Sequence, residues 1–231
     1  MRDDICSIPI SEVFERGDGC PICGIRNMLE ERMLEYIMGA AMMEPDVRIK
    51  TNKLGFCAEH FCMMLARRNR LSVALMLDSH LEEISKEIFS SPYGFLLGSS
   101  GKSGRAGKME KSCFVCAEID SSMEKLLGNM FALYEKERDF RRLFEEQTAL
   151  CLPHYVLITV GAKQKLSSRY CSEFTKTAEA IAARTLNELH GQVKHFAKMF
   201  DYRNNSKDAD WGDSRDSIER SVWWLTTRLP K

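Results

Sequence analysis

Apolar residues recur along this chain at the three- and four-residue spacing of a helix, and no stretch shows the sustained period-two alternation of a half-buried strand. From Pro21 onward, Ile25, Leu29, Met33, Ile37 and Ala41 follow every four residues, with Met28 and Tyr36 beside them. The pattern predicts an amphipathic helix over about 22–44, with a proline at its first turn and Pro45 at its end. Ahead of it, Ile8, Ile10, Val13 and Phe14 predict a short arm or one helical turn, closed by Gly17-Asp18-Gly19. After Gly55 a second helix is expected to start at Cys57. Leu65, Leu71, Leu75, Leu77, Leu81 and Ile84 carry it to about Phe89, with a break near Asn69.

Ser91-Pro92-Tyr93-Gly94 ends the first half. Residues 98–112 have the Gly, Ser and Lys composition of a flexible linker, made locally basic by Lys102, Arg105, Lys108 and Lys111. Ile119, Met123, Leu126, Leu127, Met130, Phe131 and Tyr134 then restate the face of the first helix. Farther on, one or two helices broken near Gly161 are expected, with Phe174, Ala178, Ile181, Leu186, Leu189, Val193 and Phe196 on an apolar face up to Phe200. A polar loop from Asn204 to Asp213 leads to a last helix, about 214–227, that docks through Val222, Trp223 and Leu225. The expected fold is all-α, with two duplicated helical repeats and a C-terminal helix. Its divisions fall at 1–97, 98–112, 113–200 and 201–231.

The duplication is explicit in the chemistry. Cys20-Pro-Ile-Cys23 and Cys57-Ala-Glu-His60 return as Cys113-Phe-Val-Cys116 and Cys151-Leu-Pro-His154. The second Cys-x-x-Cys lies 93 positions after the first and the second Cys-x-x-His 94 after its counterpart, a near-constant offset that marks an internal repeat. A Cys-x-x-Cys turn presents two thiolates to one ion and a second turn supplies the rest of a tetrahedron, so the chain holds two complete Cys3His sets: Cys20, Cys23, Cys57, His60 and Cys113, Cys116, Cys151, His154. Each motif starts a predicted helix, where free N–H groups favour thiolate over thiol. Two zinc ions per chain are the expectation, and closure of each site within its own repeat is the simpler arrangement. Crossed pairing of Cys20 and Cys23 with Cys151 and His154 stays open. Within-repeat closure makes a demand on the chain, because a helix over 22–44 rises about 34 Å. Residues 45–56 must then return nearly extended, unless the helix folds back early or breaks near Gly39.

Composition narrows the alternatives. At 44% hydrophobic and 29% charged the chain is globular, and 33 basic against 33 acidic residues leave no net field for nucleic acid or an anionic membrane. No apolar run reaches the length of a membrane span, and the start of the chain lacks the features of a secretory signal. A cytoplasmic protein with nine cysteines points to metal ligation or thiol chemistry rather than disulfides. Cys6, Cys62 and Cys171, which have no repeat partner, are expected to be small buried hydrophobes, and Met42, Met43, Met63 and Met64 to fill core. His80, His190 and His195 read as ordinary histidines. Gly101-Lys102-Ser103 is not a phosphate loop, since Leu96 stands where its glycine is required. The basic linker with Trp223 and Trp224 is a weak nucleic-acid signal, because a solvated linker and a docked helix account for it. Cys20-Pro-Ile-Cys23 lacks the βαβ setting of a redox pair.

The segments Ile8–Phe14, Gly19–Cys23, Ala40–Arg48 and Gly55–Phe61 resemble a bacterial family known only as a domain of unknown function, and the resemblance extends over nearly the whole chain. It implies a helical intracellular protein and carries no activity or catalytic residue. Four protein ligands leave no open position on the metal, and Glu59 beside His60 has no counterpart at Pro153, so no catalytic residue is assigned. The reading is a zinc-stabilised, non-enzymatic interaction or regulatory module with a protein partner. The alternative is a thiol- or metal-responsive sensor.

Overall fold

A computed structural model describes residues 8–89, 106–201 and 210–228. Every regular element among them is helical, and none is long and apolar enough to cross a membrane. The chain forms two compact units: one from Met1–Arg26 and Glu124–Lys231, the other from Asn27–Met123. Two helices, α2 (Pro21–Met38) and α7 (Phe114–Lys136), begin in one unit and end in the other.

In the second unit, α2 ends at Met38 and a 3-10 turn, Ala40–Met43, redirects the chain into α3 (Pro45–Leu54). Pro45 sits at the first position of α3, where its missing N–H has no helical partner to lose. The expected helix over 22–44 therefore breaks near Gly39, and the return segment is itself coiled. Next come α4 (Ala58–Ala66) and α5 (Arg70–Ile84), which continues into a π-helical turn at Ser85–Phe89. The break near Asn69 is present. Asn69 caps α5 by accepting from the Ser72 N–H at 3.3 Å, and its own amide and the Ser72 hydroxyl both donate to the carbonyl of Met38. Leu65, Leu71 and Leu81 lie exposed, whereas Met64, Val73 and Met76 are buried. The buried stripe thus runs one or two positions away from the expected leucines. Of the expected linker, 98–105 lies outside the described residues and 106–111 form a short helix, α6.

Gly55 sets the approach to the Cys-x-x-His motif of this unit. Its φ of 59° and ψ of −156° belong to a region that only glycine adopts readily, and a Cβ there would meet His80 Nε2 at 2.7 Å. The Gly55 carbonyl accepts from the Phe114 N–H at 2.9 Å, and the Ser112 hydroxyl donates to the carbonyl of Leu54 at 2.7 Å. These bonds lay the approach to Cys57 along the approach to Cys113. His80 Nδ1 pairs with the carbonyl of Asn52 at 2.7 Å, so this histidine is a structural strut.

In the first unit, α1 (Ile8–Arg16) is a full helix rather than a single turn and packs on α8 (Arg138–Glu145). Phe14 meets Phe140 at 5.1 Å between ring centroids, and Phe144, Phe174 and Tyr134 extend the aromatic core. Helices α9 (Leu152–Lys165) and α10 (Ser168–Met199) pack along each other, and α11 (Ser217–Thr226) covers both. The helix break expected near Gly161 falls instead at Leu166-Ser167, because Gly161 is a packing glycine: a Cβ would come within 2.9 Å of the Phe131 ring. The residue of α11 that docks is Trp224, buried with its indole N–H on the carbonyl of Leu150 at 2.9 Å, while Leu225 faces solvent. Most of the expected polar loop after Phe200 lies outside the described residues.

Two glycines test this account. Gly55→Ala should cost about 1–3 kcal/mol in a denaturation experiment, the scale of a side chain forced into a glycine-only conformation. Gly191→Ala, in the middle of α10 with nothing within 4 Å of the new Cβ, should stabilise by about 0.5–1 kcal/mol. Equal effects at the two positions would contradict the role given to Gly55.

Candidate metal centre

All four motifs fold alike. Cys20, Cys57, Cys113 and Cys151 stand immediately before α2, α4, α7 and α9. Each offers its carbonyl to the N–H four residues on, at 3.1, 2.9, 3.0 and 2.8 Å respectively. They are N-cap residues, and their partners Cys23, His60, Cys116 and His154 occupy the third helical position. Cap and third-position side chains converge over the first turn of a helix, where a capping box usually links Ser or Thr to Glu. Here the two positions carry donors for a soft cation. The backbone at Cys57 (φ −73°, ψ 163°) and Cys151 (φ −75°, ψ 155°) is nearly the same, as the duplication requires.

The pairing is crossed. Cys20 and Cys23 meet Cys151 and His154 in the first unit, while Cys57 and His60 meet Cys113 and Cys116 in the second. Closure within each repeat, the simpler expectation, is overturned, and the return segment gives the reason. Over its 18 residues α2 advances about 27 Å, whereas the ten residues of α3 and the two that follow return at most about 22 Å. Cys57 therefore finds the thiols beside Gly55 and Phe114. All eight candidate residues are used, and none is left outside the two clusters.

The distances fit a tetrahedral ion. Bonds of about 2.3 Å to sulfur and about 2.0 Å to nitrogen give edges of about 3.8 Å between sulfurs and about 3.5 Å from sulfur to nitrogen. In the first cluster, Cys151 Sγ lies 3.7 Å from both Cys20 Sγ and Cys23 Sγ. His154 Nδ1 lies 3.6, 3.1 and 3.1 Å from the sulfurs of Cys20, Cys23 and Cys151. In the second, Cys57 Sγ and Cys116 Sγ are 4.0 Å apart, and His60 Nδ1 is 3.1, 3.3 and 3.5 Å from Cys57, Cys113 and Cys116. Within each cluster every donor atom lies within 4.8 Å of the others. The first cluster is wholly buried; in the second, Cys57 and Cys116 are half-buried.

One supporting residue escaped the sequence reading. Glu30 Oε1 lies 3.0 Å from His60 Nε2, so the carboxylate holds the ring with Nδ1 towards the sulfurs, an arrangement common around metal-bound histidine. Little in the sequence singles it out, since Glu31 and Glu35 share its helix. At the duplicated position the chain carries Met123, so that carboxylate has no counterpart in the repeat. The unmatched cysteines were also misjudged: Cys62 is exposed and Cys171 half-buried, and Cys6 lies outside the described residues. Met64 fills core as expected, but Met43 is exposed.

The chain belongs to DUF6062. This is a family of unknown function, and its family model matches residues 1–231. No curated protein and no solved structure matches the chain. Membership in DUF6062 thus agrees with the resemblance seen in the motifs and leaves the chemistry to the clusters themselves.

Without a cation the donors of this DUF6062 chain share protons unequally. Burial pushes the Cys113 thiol up, but hydrogen bonds from His60 and from the backbone of Cys116 and Cys57 outweigh it and bring it down to about 6. Burial would lower His60, yet its bonds to Cys113 and Glu30 raise it to about 10. Burial and the neighbouring Cys113 charge raise Cys116 to about 12. In the first cluster burial opposes ionisation of Cys20, but hydrogen bonds from Cys151, Cys23 and His154 pull it well down. Cys151 rises to about 12, chiefly through its hydrogen bond to Cys20, and Cys23 rises through its bond to Cys151. Several anions cannot share so small a volume unaided, whereas a bound dication would make all of them favourable.

A pH dependence follows. At neutral pH His60 and Cys116 both hold protons that metal ligation must expel, so metal affinity falls as pH falls. Between about pH 8 and 6 the second cluster should lose at least about a hundredfold in affinity per pH unit, with at least two protons released per ion. Affinity independent of pH, measured against a chelator of known strength, would contradict the assigned protonation.

Proposed function

We propose that the two clusters each hold one zinc ion and that the protein is a zinc-stabilised helical interaction or regulatory module rather than an enzyme. The observation that carries this reading is the closed Cys3His tetrahedron: four protein donors at ligand spacing, with no position left for water or substrate. Soft thiolates with one imidazole suit zinc, and the match of S···S and S···N separations to zinc bond lengths supports it. The ligands of each cluster come from sequence positions more than 50 residues apart, so an ion in either would tie distant helix starts into one core. Eight cysteines of the described residues are free of disulfides, in keeping with a reducing, cytoplasmic setting, and a protein partner is the expected target. No membrane or nucleic-acid role is assigned.

A second reading is favoured by the exposure of one cluster. Cys57 and Cys116 are half-buried where the ligands of the first cluster are buried, and partly exposed thiolates are the ones oxidants reach. In this reading the first zinc is structural and the second is released on oxidation.

Metal analysis of protein purified without oxidant or chelator should find two zinc ions per chain. Cys151→Ser should remove one equivalent and loosen the helices α9–α11, leaving the cluster at Cys57, His60, Cys113 and Cys116 loaded. Structural zinc contributes roughly 10–16 kcal/mol in small zinc-folded peptides, so full chelation should abolish cooperative unfolding of the affected helices. One ion or none in the untreated protein would sink the proposal. Loss of the second ion alone under mild peroxide, with helicity retained, would replace the structural reading by the sensor.

A further inference from the structure

Both clusters contain sulfurs close enough to join. In the first, Cys151 Sγ lies 3.7 Å from Cys20 Sγ and from Cys23 Sγ; in the second, Cys57 Sγ lies 4.0 Å from Cys116 Sγ. A disulfide bond is about 2.0 Å long, so each of these pairs closes with a shift of about 1 Å at each sulfur. Distance alone slightly favours the first cluster. Access reverses the choice: Cys20, Cys23 and Cys151 are all buried, as is Cys113 at 6% exposure, whereas Cys57 and Cys116 are half-buried. Oxidants attack the sulfur that they can touch. The two cluster thiols open to solvent are therefore also a pair within reach of each other.

Cys62 is more exposed still, but it stands outside both clusters. It follows Cys57 by five positions, about 140° round the helix axis at about 100° per residue, so the two side chains leave α4 in different directions. The backbone around Cys57 and Cys116 is already joined. The Gly55 carbonyl accepts from the Phe114 N–H at 2.9 Å, the Ser112 hydroxyl donates to the carbonyl of Leu54 at 2.7 Å, and Phe56 packs edge-on against Phe114. None of these contacts needs a metal, so they hold the two sulfurs near each other whether or not an ion is present.

We propose that Cys57 and Cys116 form an oxidation site for hydroperoxides, at which a disulfide replaces the ion as the tie between the starts of α4 and α7. The Cys57 thiolate attacks the terminal oxygen of the hydroperoxide. The O–O bond breaks, Cys57 becomes a sulfenic acid, and the departing alkoxide or hydroxide takes up a proton as alcohol or water. The Cys116 thiolate then attacks the sulfenic sulfur, the S–S bond forms, and the expelled hydroxide takes up a second proton as water. Two electrons pass from the pair of sulfurs to the peroxide. Only Cys113 and His60 then remain as donors, too few to keep an ion, while the disulfide clamps the segments that the ion joined. The release of metal rests on the zinc reading above; the disulfide needs only the two thiols and the oxidant.

Peroxide treatment of the full, metal-loaded chain tests the assignment. About one equivalent of hydrogen peroxide should release one zinc ion and remove two of the nine thiols, with the helical circular dichroism unchanged. After alkylation of the remaining thiols, trypsin should yield residues 54–67 joined to 112–125, and fragmentation should place the label on Cys62 and Cys113. Cys20, Cys23 and Cys151 should be fully labelled. Cys62→Ser should leave the rate and the product unchanged, and a thiol reductant with added zinc should restore the second ion. A bond to Cys113 or Cys62, earlier oxidation of Cys20, Cys23 or Cys151, or dependence of the reaction on Cys62 would overturn the proposal. Loss of helicity with the ion would overturn the clamp. Fewer than two zinc ions before treatment would instead count against the zinc reading, and the same peptide mapping would still decide the disulfide.

Discussion

Two cysteine-rich helix starts must meet over one small volume, and the rest of this fold is arranged around that requirement. At each meeting point three sulfurs and an imidazole nitrogen lie within 4.8 Å of one another. Such a group is costly as a set of bare anions and weakly cohesive as a set of thiols, which is why the protons divide so unevenly among Cys20, Cys23 and Cys151 and among His60, Cys113 and Cys116. A divalent cation resolves the conflict and adds directional bonds. The N-cap geometry prepares each pair of donors before any tertiary contact forms, since cap and third helical position already face the same point.

Crossing of the two repeats then follows from chain lengths rather than from the ligands. The coiled return through α3 is too short to bring Cys57 back to the start of α2, and Gly55 turns it instead towards Phe114. The first unit solves the same problem with different atoms. Pro21 stands where the repeat has Phe114 and has no N–H to offer, and the segment before Cys151 is tied down by side chains: Thr148 Oγ1 on the carbonyl of Gly17 at 2.9 Å and Gln147 Nε2 on that of Phe14 at 2.8 Å. Duplicated donor residues are thus held by loops that have diverged, and Glu30 behind His60 with Met123 in its place in the repeat is a further divergence.

Much of this was legible in the sequence. Helical class and duplication follow from periodicity and the 93-residue offset, and all eight ligand candidates were named from motif spacing. The pairing was not legible, because spacing gives ligand sets without direction, and the decisive fact, that residues 45–54 coil, depends on a helix opened by Pro45 in a stretch with few apolar positions. Burial within helices was read less well. Leu65, Leu71 and Leu81 lost the core to Met64, Val73 and Met76, and Leu225 to Trp224, since a 3.6-residue period leaves neighbouring stripes nearly equivalent until the partner helix is placed.

The central claim is that each ion is held by one Cys-x-x-Cys and one Cys-x-x-His from different repeats. NMR of the cadmium-substituted protein tests it most directly, through scalar couplings between each bound cadmium and the side-chain protons of its ligands. One cadmium should couple to Cys20, Cys23, Cys151 and His154, and the other to Cys57, His60, Cys113 and Cys116. Coupling of a single cadmium to Cys20, Cys23 and Cys57 would contradict the account.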